Sequence, residues 1–491
     1  MERGLDRRYY PIFIIVGAAA LAFSYGFFSD FISLKFLVAV VLAVLAGNVI
    51  RLPYKWAVWF LFFYLGVEGM LKMLSNYNPI IHVGSDILVF VLCARWFLSL
   101  LLNRASIPKD LPPFLPIFAL HFTWFLIEFA NPYALGLVPS LAGAKIYVTM
   151  FMLYFFGYYL TESVKDAGFY MIPWIFTAFV QTVTGLYQAH VGPSSVLSLA
   201  PGYAAALRKF EGYAFRPFGT TNLAGGPAEF IFLASPFLIY FIIKGRVKIV
   251  RFFLVALLPA ALMTVIVCQV RSALMKQIVG VAGFIFLLTL KSRGETRKQL
   301  LIVVPAVAVI LAFVLPMVTS QWAAQNAEGA AAIGRTMTLF DYKQISRARE
   351  GAGDRITSFA QEVPLGAGLS RTGASAGKFA DLIANDPFYP GGFFSDNFWA
   401  ATIAEVGIPG SIILTALLVA MILRGLDGIR RTQDLDYIAA QAVLTSCLIM
   451  VMSGLWGAEG VLYNPEAAYY WFFSGVLMKL VKLGPAQQLK L

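Results

Sequence analysis

Residues 395–423 read SDNFWAATIAEVGIPGSIILTALLVAMIL. The first three positions are polar; from Phe398 onward Glu405 is the only charged side chain. At about 1.5 Å of rise per residue, a run of this length crosses the ~30 Å hydrocarbon core of a bilayer. The stretch therefore reads as a transmembrane helix entered abruptly from water. Upstream lies the longest polar stretch of the chain, residues 319–397. It holds Arg335, Asp341, Lys343, Arg347, Arg349, Glu350, Asp354, Arg355, Glu362, Arg371, Lys378, Asp381 and Asp386. Loops this long between packed elements are uncommon and usually carry function.

The rest of the chain sets the class. Hydrophobic residues make up 59% of the 491 positions and charged residues only 13%, with a mean hydropathy of +0.75, which excludes an ordinary soluble domain. Hydropathy places about 14 spans. They fall at residues 12–28, 33–50, 56–75, 85–103, 114–130, 146–160, 169–190, 223–243, 251–268, 273–290, 300–318, 398–423, 438–456 and 467–483. Counting the two short spans that flank Arg271 differently gives twelve or thirteen. The expected fold is an all-α polytopic membrane protein, a single domain over residues 1–491, with one long loop over 319–397. The basic N-terminus with the apolar run Tyr10 to Phe28 resembles a signal peptide, but no small-residue cleavage site follows, so it reads as a retained first span.

Net charge is +12, and the basic residues sit in short loops. Alternate loops carry Arg51 and Lys55, Arg104 and Lys109, Lys244 to Lys248, Lys291 to Lys298, and Arg424 to Arg431. These are orientation signals rather than a nucleic-acid surface, and they put both termini in the cytoplasm and the long loop outside. Cys93, Cys268 and Cys447 all lie in apolar runs and read as small buried hydrophobes, not as a disulfide framework. No His has a partner at metal-ligand spacing, and neither metal nor cofactor is inferred.

Three groups at the expected outer face suit chemistry. In Phe215-Arg216-Pro217-Phe218-Gly219-Thr220-Thr221-Asn222, Pro217 and Gly219 favour a turn and Asn222 or Thr221 suits a helix N-cap. A helix N-terminus beside Arg216 suits a phosphate, although an arginine there also serves simply by snorkelling to lipid headgroups. In Gln269-Val270-Arg271-Ser272, Arg271 sits where outer loops otherwise avoid basic residues, with Lys276 about one turn deeper. At the loop exit, Asp396 suits either a general base or an N-cap, and Asn397 and Glu405 follow it. Gly407 and Gly410 suit close helix packing. Within the loop, Arg355 is followed by a flexible turn, Val363-Pro364-Leu365-Gly366-Ala367-Gly368-Leu369. Of the other intramembrane charges, Glu68, Lys72, Arg95, Glu128 and Glu229, the first two have i,i+4 spacing and satisfy each other, Arg95 and Glu128 read as structural, and any of them could line a cavity.

Taken in order, these motifs resemble the O-antigen ligase and O-antigen polymerase superfamily of membrane glycosyltransferases. The resemblance rests on Arg216 to Asn222, Arg271-Ser272, the Pro364 to Leu369 turn, and Asp396-Asn397-Phe398-Trp399 followed by Ala404-Glu405-Val406-Gly407-Ile408-Pro409-Gly410. It covers mainly residues 205–425. It implies a bacterial inner-membrane enzyme whose donor is an undecaprenyl-diphosphate-linked glycan and whose acceptor is a glycan or a lipid. A chain-length regulator is a further partner of such enzymes. The resemblance also implies that Arg216, Arg271 and Asp396 are catalytic and that Arg355, Asn222, Asn397, Glu405 and Lys276 bind substrate. Ligases carry His where this chain has Asp396, which turns the expectation towards a polymerase, with ligase as the close alternative. A lipid-linked oligosaccharide flippase is the rival from another class; it predicts midplane charges and an internal repeat, neither of which stands out here.

Overall fold

In the computed structural model of the chain, the residues described are 52–75, 83–102, 110–198, 200, 215–245, 247–291, 334, 342–373, 376, 379–389, 393, 397–458 and 460–488. The expected spans at 12–28, 33–50 and 300–318 lie outside them. Among the described residues the chain is helical, with no strand. The longer helices are α1 (Tyr54–Leu74), α2 (Gly84–Leu101), α3 (Leu115–Phe129), α4 (Leu137–Val148), α5 (Met152–Leu160), α6 (Val164–Val191) and α7 (Pro227–Lys244). They continue with α8 (Lys248–Val267), α9 (Arg271–Lys291), α10 (Tyr342–Glu362), α11 (Phe398–Arg431), α12 (Leu435–Ser453) and α13 (Glu466–Gln488). Nine helical stretches among these residues are long and apolar enough to cross a membrane, with α4 and α5 joined into one; α3 is apolar but shorter. This is a multi-pass helical membrane protein. The span expected at 146–160 starts earlier, at Leu137.

Helices α7 and α12 form the centre. Their apolar windows are 83% and 78% buried, against 28% for α2, which turns Phe90, Phe97, Leu98 and Leu101 outward. In water that surface would be a liability; against lipid tails it costs nothing. The centre is aromatic. Trp174 of α6 meets Tyr469 of α13 edge-on at 4.9 Å, and Phe62 of α1 meets Phe472 in the same way at 4.8 Å. Such edge-to-face pairs are the preferred ring geometry and add to the area they bury.

Up-and-down connectivity sorts the polar groups to two ends. One end holds Lys55 with Asp166, Lys244 with Asp436, and Lys479 with Asp110, at 2.9, 2.6 and 2.7 Å. Lys482 also meets Asp110. Burial alone would push the Asp110 carboxyl up, but Lys479, Lys482 and Tyr158 outweigh it and hold it at about 2. The opposite end holds the segment from Phe215 to Gly226, the start of α9, the start of α11 and the start of α13.

The long polar stretch is not irregular throughout. Among its described residues it forms α10, whose Ile356 and Phe359 pack with Val363, Ala400 and Ala404 against the first turns of α11. The turn from Val363 to Leu369, expected to be flexible, is packed, with Val363, Ala367 and Leu369 buried. Its seat is a break in α11. Gly407 has φ of +69°, and the turn's own Gly366 has φ of +95°, so the two backbones cross where any Cβ would collide. Groups freed by the break find partners in the turn and on α3. Ile408 N–H donates to Pro364 O at 2.9 Å, Ala367 N–H to Ala404 O at 2.8 Å, and Trp124 Nε1–H to Val406 O at 2.8 Å. The expectation that Gly407 and Gly410 serve close packing holds; Trp124 also lies against Gly410.

Substituting Gly407→Ala is expected to destabilise the protein by about 1–3 kcal/mol, because the residue is held at positive φ against another backbone. Gly353→Ala, on α10 with nothing near its Cβ position, is expected to stabilise by about 0.5–1 kcal/mol. Thermal unfolding in detergent, read side by side, checks the opposite signs.

Candidate functional site

The segment from Phe215 to Gly226 is not helical, yet most of it lies buried among helices. Backbone groups in such a place must be satisfied by protein. Two glutamines on α6, seven residues apart and so on one face, do this. Gln188 Oε1 accepts from Phe218 N–H and Gly219 N–H, both at 2.7 Å, and its Nε2 donates to Gly219 O at 3.1 Å. Gln181 Oε1 accepts from Thr220 N–H at 3.1 Å, while its Nε2 donates to Thr220 Oγ1 and to Gly66 O. Thr220 is also spliced into α1. Its Oγ1 donates to Gly66 O at 2.5 Å, and its carbonyl accepts the Met70 N–H at 2.7 Å. In an unbroken helix that N–H would serve Gly66 O. Gly69 lets the backbone of Thr221 and Asn222 lie directly against α1.

This packing corrects one expectation. Neither Asn222 nor Thr221 caps α7, which begins at Pro227 with Gly226 before it and no side-chain cap. Thr221 Oγ1 instead donates to Phe218 O and lies against Gly226. Asn222 is half-buried beside Gly69. The first turn of α7 carries a carboxylate, Glu229, in the position expected for a phosphate.

Arg216 stands half-buried at the entry to the segment. Gln269 Nε2 donates to the neighbouring carbonyl of Phe215 at 3.4 Å, and Gly225 lies against Cys268 O and Val270. The turn that opens α9 is thus fastened to the segment that carries Arg216. Arg271, half-buried, is the first residue of α9. Lys276 is buried, and its ammonium donates to both oxygens of Glu466 at 2.6 and 2.7 Å. It also lies over the Phe232 ring at 4.8 Å, with its stem against Gly454. Lys276 therefore binds a counter-ion within the protein, not an open cavity. Removing either partner of such a pair strands the other in the bundle and costs about 3–5 kcal/mol.

The exit of the polar stretch reaches the same place. Asn397 caps α11, accepting from Ala400 N–H at 3.1 Å, and its Nδ2 donates to Trp456 O at 2.8 Å. Phe398 N–H donates to Leu455 O at 3.1 Å, one residue from the Gly454 that holds Lys276. Arg216, Asn222, Arg271, Lys276 and Asn397 therefore share one end of the bundle. Asp396 lies outside the described residues; the capping role open to it in the sequence is filled by Asn397.

Two expected residues sit elsewhere. Glu405 is buried and accepts from Tyr147 Oη at 2.9 Å and from Thr372 N–H at 2.9 Å, so it fastens the polar stretch to α4. Arg355 is exposed on α10. The arginine that anchors the stretch is Arg371, which is fully buried. It donates to Asp386, to Tyr133 O and to Ala367 O, and stacks over Tyr389 at 5.6 Å. Burial alone would raise the Asp386 carboxyl. The Phe388 N–H and Arg371 outweigh it and hold it below its ordinary value.

Glu68 and Lys72 pair as expected at 3.3 Å, with Ser85 also donating to Glu68; Arg95 donates to Leu52 O and covers the Tyr54 ring. Sequence reasoning missed Gln181, Gln188, Arg371 and Glu466. The first two carried a signal, polar residues seven apart on an otherwise apolar helix; Arg371 and Glu466 looked like ordinary boundary charges. No family model matches the chain, and no curated relative does.

Gln188→Leu strands two N–H groups and is expected to cost about 2–4 kcal/mol. Gln188→Glu keeps the acceptor and is expected to lose less; thermal unfolding ranks the two. For Asp386, the depressed carboxyl means that the junction is intact above the ordinary aspartate pKa of about 3.9 and weakens as pH falls below it. Protease cleavage within 363–389 is therefore expected to stay flat from pH 8 to 5 and rise below about 4, while Asp386→Asn raises it at every pH.

Proposed function

We propose that this chain is a bacterial inner-membrane glycosyltransferase of the O-antigen ligase and polymerase type. It polymerises undecaprenyl-diphosphate-linked oligosaccharide repeat units into surface polysaccharide at the periplasmic face. One observation carries the reading: Arg216 and Arg271, half-buried, stand on two connections fastened together at one end of an otherwise apolar bundle. Guanidinium groups at a membrane boundary, held by packed backbone, suit an anionic headgroup whose tail lies in lipid. The opposite end carries the Lys- and Arg-rich turns and faces the cytoplasm by the positive-inside rule.

The chemistry is a displacement at the anomeric carbon. Its bond to the phosphate oxygen breaks, and the electron pair leaves with the diphosphate. The acceptor hydroxyl oxygen forms the new glycosidic bond and gives up its proton. Arg216 and Arg271 are assigned to the charge that grows on the leaving diphosphate, where exclusion of water makes them most effective. Lys276, committed to Glu466, acts by holding α9 and so the position of Arg271. Glu405 and Arg371 act through the polar stretch, which they fasten beside the site. Asp396, adjacent to the cap at Asn397, is assigned to orienting the acceptor.

The test combines purified protein with the lipid-linked oligosaccharide extracted from cells that express it. A ladder of products on a gel is expected, and Arg216→Ala or Arg271→Ala is expected to reduce it by about 100-fold or more. Transfer to a lipid acceptor instead of a ladder identifies a ligase. Movement of the lipid across vesicles without transfer identifies a flippase. A normal ladder from Arg271→Ala would falsify the assignment.

A further inference from the structure

Glu229 is a carboxylate in the first turn of α7, at the end of the bundle that carries Arg216 and Arg271. It is half-buried, and its side chain makes no hydrogen bond or ion pair with the described residues. Helical spacing gives its direction. Glu229, Phe232 and Pro236 follow one another at three and four residues, so they share one face of α7. Lys276 of α9 lies over Phe232, and Gly280 of α9 packs against Pro236. That face therefore looks at α9, and Glu229 stands one turn above Phe232 towards the membrane boundary. The charges of Lys276 and Glu466 both act on it. Gly225, four residues before it, lies against Cys268 O and Val270, in the turn that leads into Arg271.

The two carboxylates in this cluster differ in what they are free to do. Glu466 spends both oxygens on the Lys276 ammonium and has Gly460 against it. Moving it would uncover a buried lysine. Glu229 has no such obligation. An ionisable side chain at membrane depth that no described residue hydrogen-bonds is costly, and such residues mark functional sites. A carboxylate at the end of the bundle that carries the arginines assigned to an anion is suited to a hydroxyl group, because a hydroxyl donates to it and an anion is repelled.

We propose that Glu229 is the proton acceptor for the acceptor hydroxyl. This rests on the glycosyl-transfer reading above and adds to it a base on α7. As the hydroxyl oxygen bonds to the anomeric carbon, its proton passes to a Glu229 carboxylate oxygen. The anomeric carbon–oxygen bond breaks and its electron pair stays on the diphosphate, held by Arg216 and Arg271. The proton then leaves Glu229 for water before the next cycle. The Lys276–Glu466 pair is the fixed wall against which Glu229 is placed.

The experiment separates binding from transfer in the full-length protein. Undecaprenyl diphosphate is the binding probe, and single-turnover transfer from the extracted lipid-linked oligosaccharide is the rate. Glu229→Gln is expected to bind the probe as tightly as wild type or several-fold tighter, since a negative charge is gone, while transfer falls by about 100- to 10,000-fold. In Glu229→Ala, added formate is expected to restore transfer at least about tenfold by supplying the missing proton acceptor. Wild-type transfer by Glu229→Gln overturns the proposal and leaves the function standing. Loss of binding together with transfer, or no rescue by formate, also overturns it and makes Glu229 structural. Failure of the wild-type protein to bind the probe or to transfer overturns the function itself, and the base with it.

Discussion

Inside a bilayer, a backbone N–H or C=O without a protein partner costs several kcal/mol, and the arrangement of this protein follows from that constraint. Two pieces of non-helical chain lie among the helices, the segment from Phe215 to Gly226 and the break at Gly407. Each is tolerated because protein groups meet the backbone that is freed. Gln181, Gln188 and the helix α1 serve the first; Trp124 and the turn after α10 serve the second. Thr220 goes further and replaces a rung of the α1 ladder with its own hydroxyl and carbonyl. Irregular backbone at this depth is found where it lines a cavity or is buried in protein, and here it carries Arg216.

The charged groups obey the same economy. Lys276 with Glu466, Arg371 with Asp386, and Glu68 with Lys72 are each closed internally, and the first joins α9 to α13 across the bundle. Such pairs are weak as sources of stability but strict about geometry, because losing one partner leaves a charge in low dielectric. Lys276 with Glu466 holds the starts of α9 and α13 together, while Asn397 and Phe398 tie the start of α11 to the chain after α12. Among the described residues, the Glu229 side chain lies outside these pairs.

Much of this was legible in the chain. Eleven of the expected spans fall on described helices, because about 20 consecutive apolar residues have few other uses. The pairing of Glu68 with Lys72 was legible because it is local, one turn apart on one helix. The site was legible only as a set of positions. That Asn397 caps α11, and that neither Thr221 nor Asn222 caps α7, depended on where each helix starts, and neighbouring polar residues at a boundary compete closely for a cap.

By itself, the sequence determined the class, the spans and the clustering of basic residues in alternate loops, since all three follow from composition and short-range pattern. Only the tertiary structure decided which charges are spent and which are free. Lys276 and Glu466 are separated by 190 positions, and Arg371 reaches Tyr133 across 238. The turn from Val363 to Leu369 looks mobile as a string of small residues, and it becomes a fixed wedge only when the break at Gly407 opens to receive it. Partnership at that range is set by how helices pack, and no local pattern of residues encodes it.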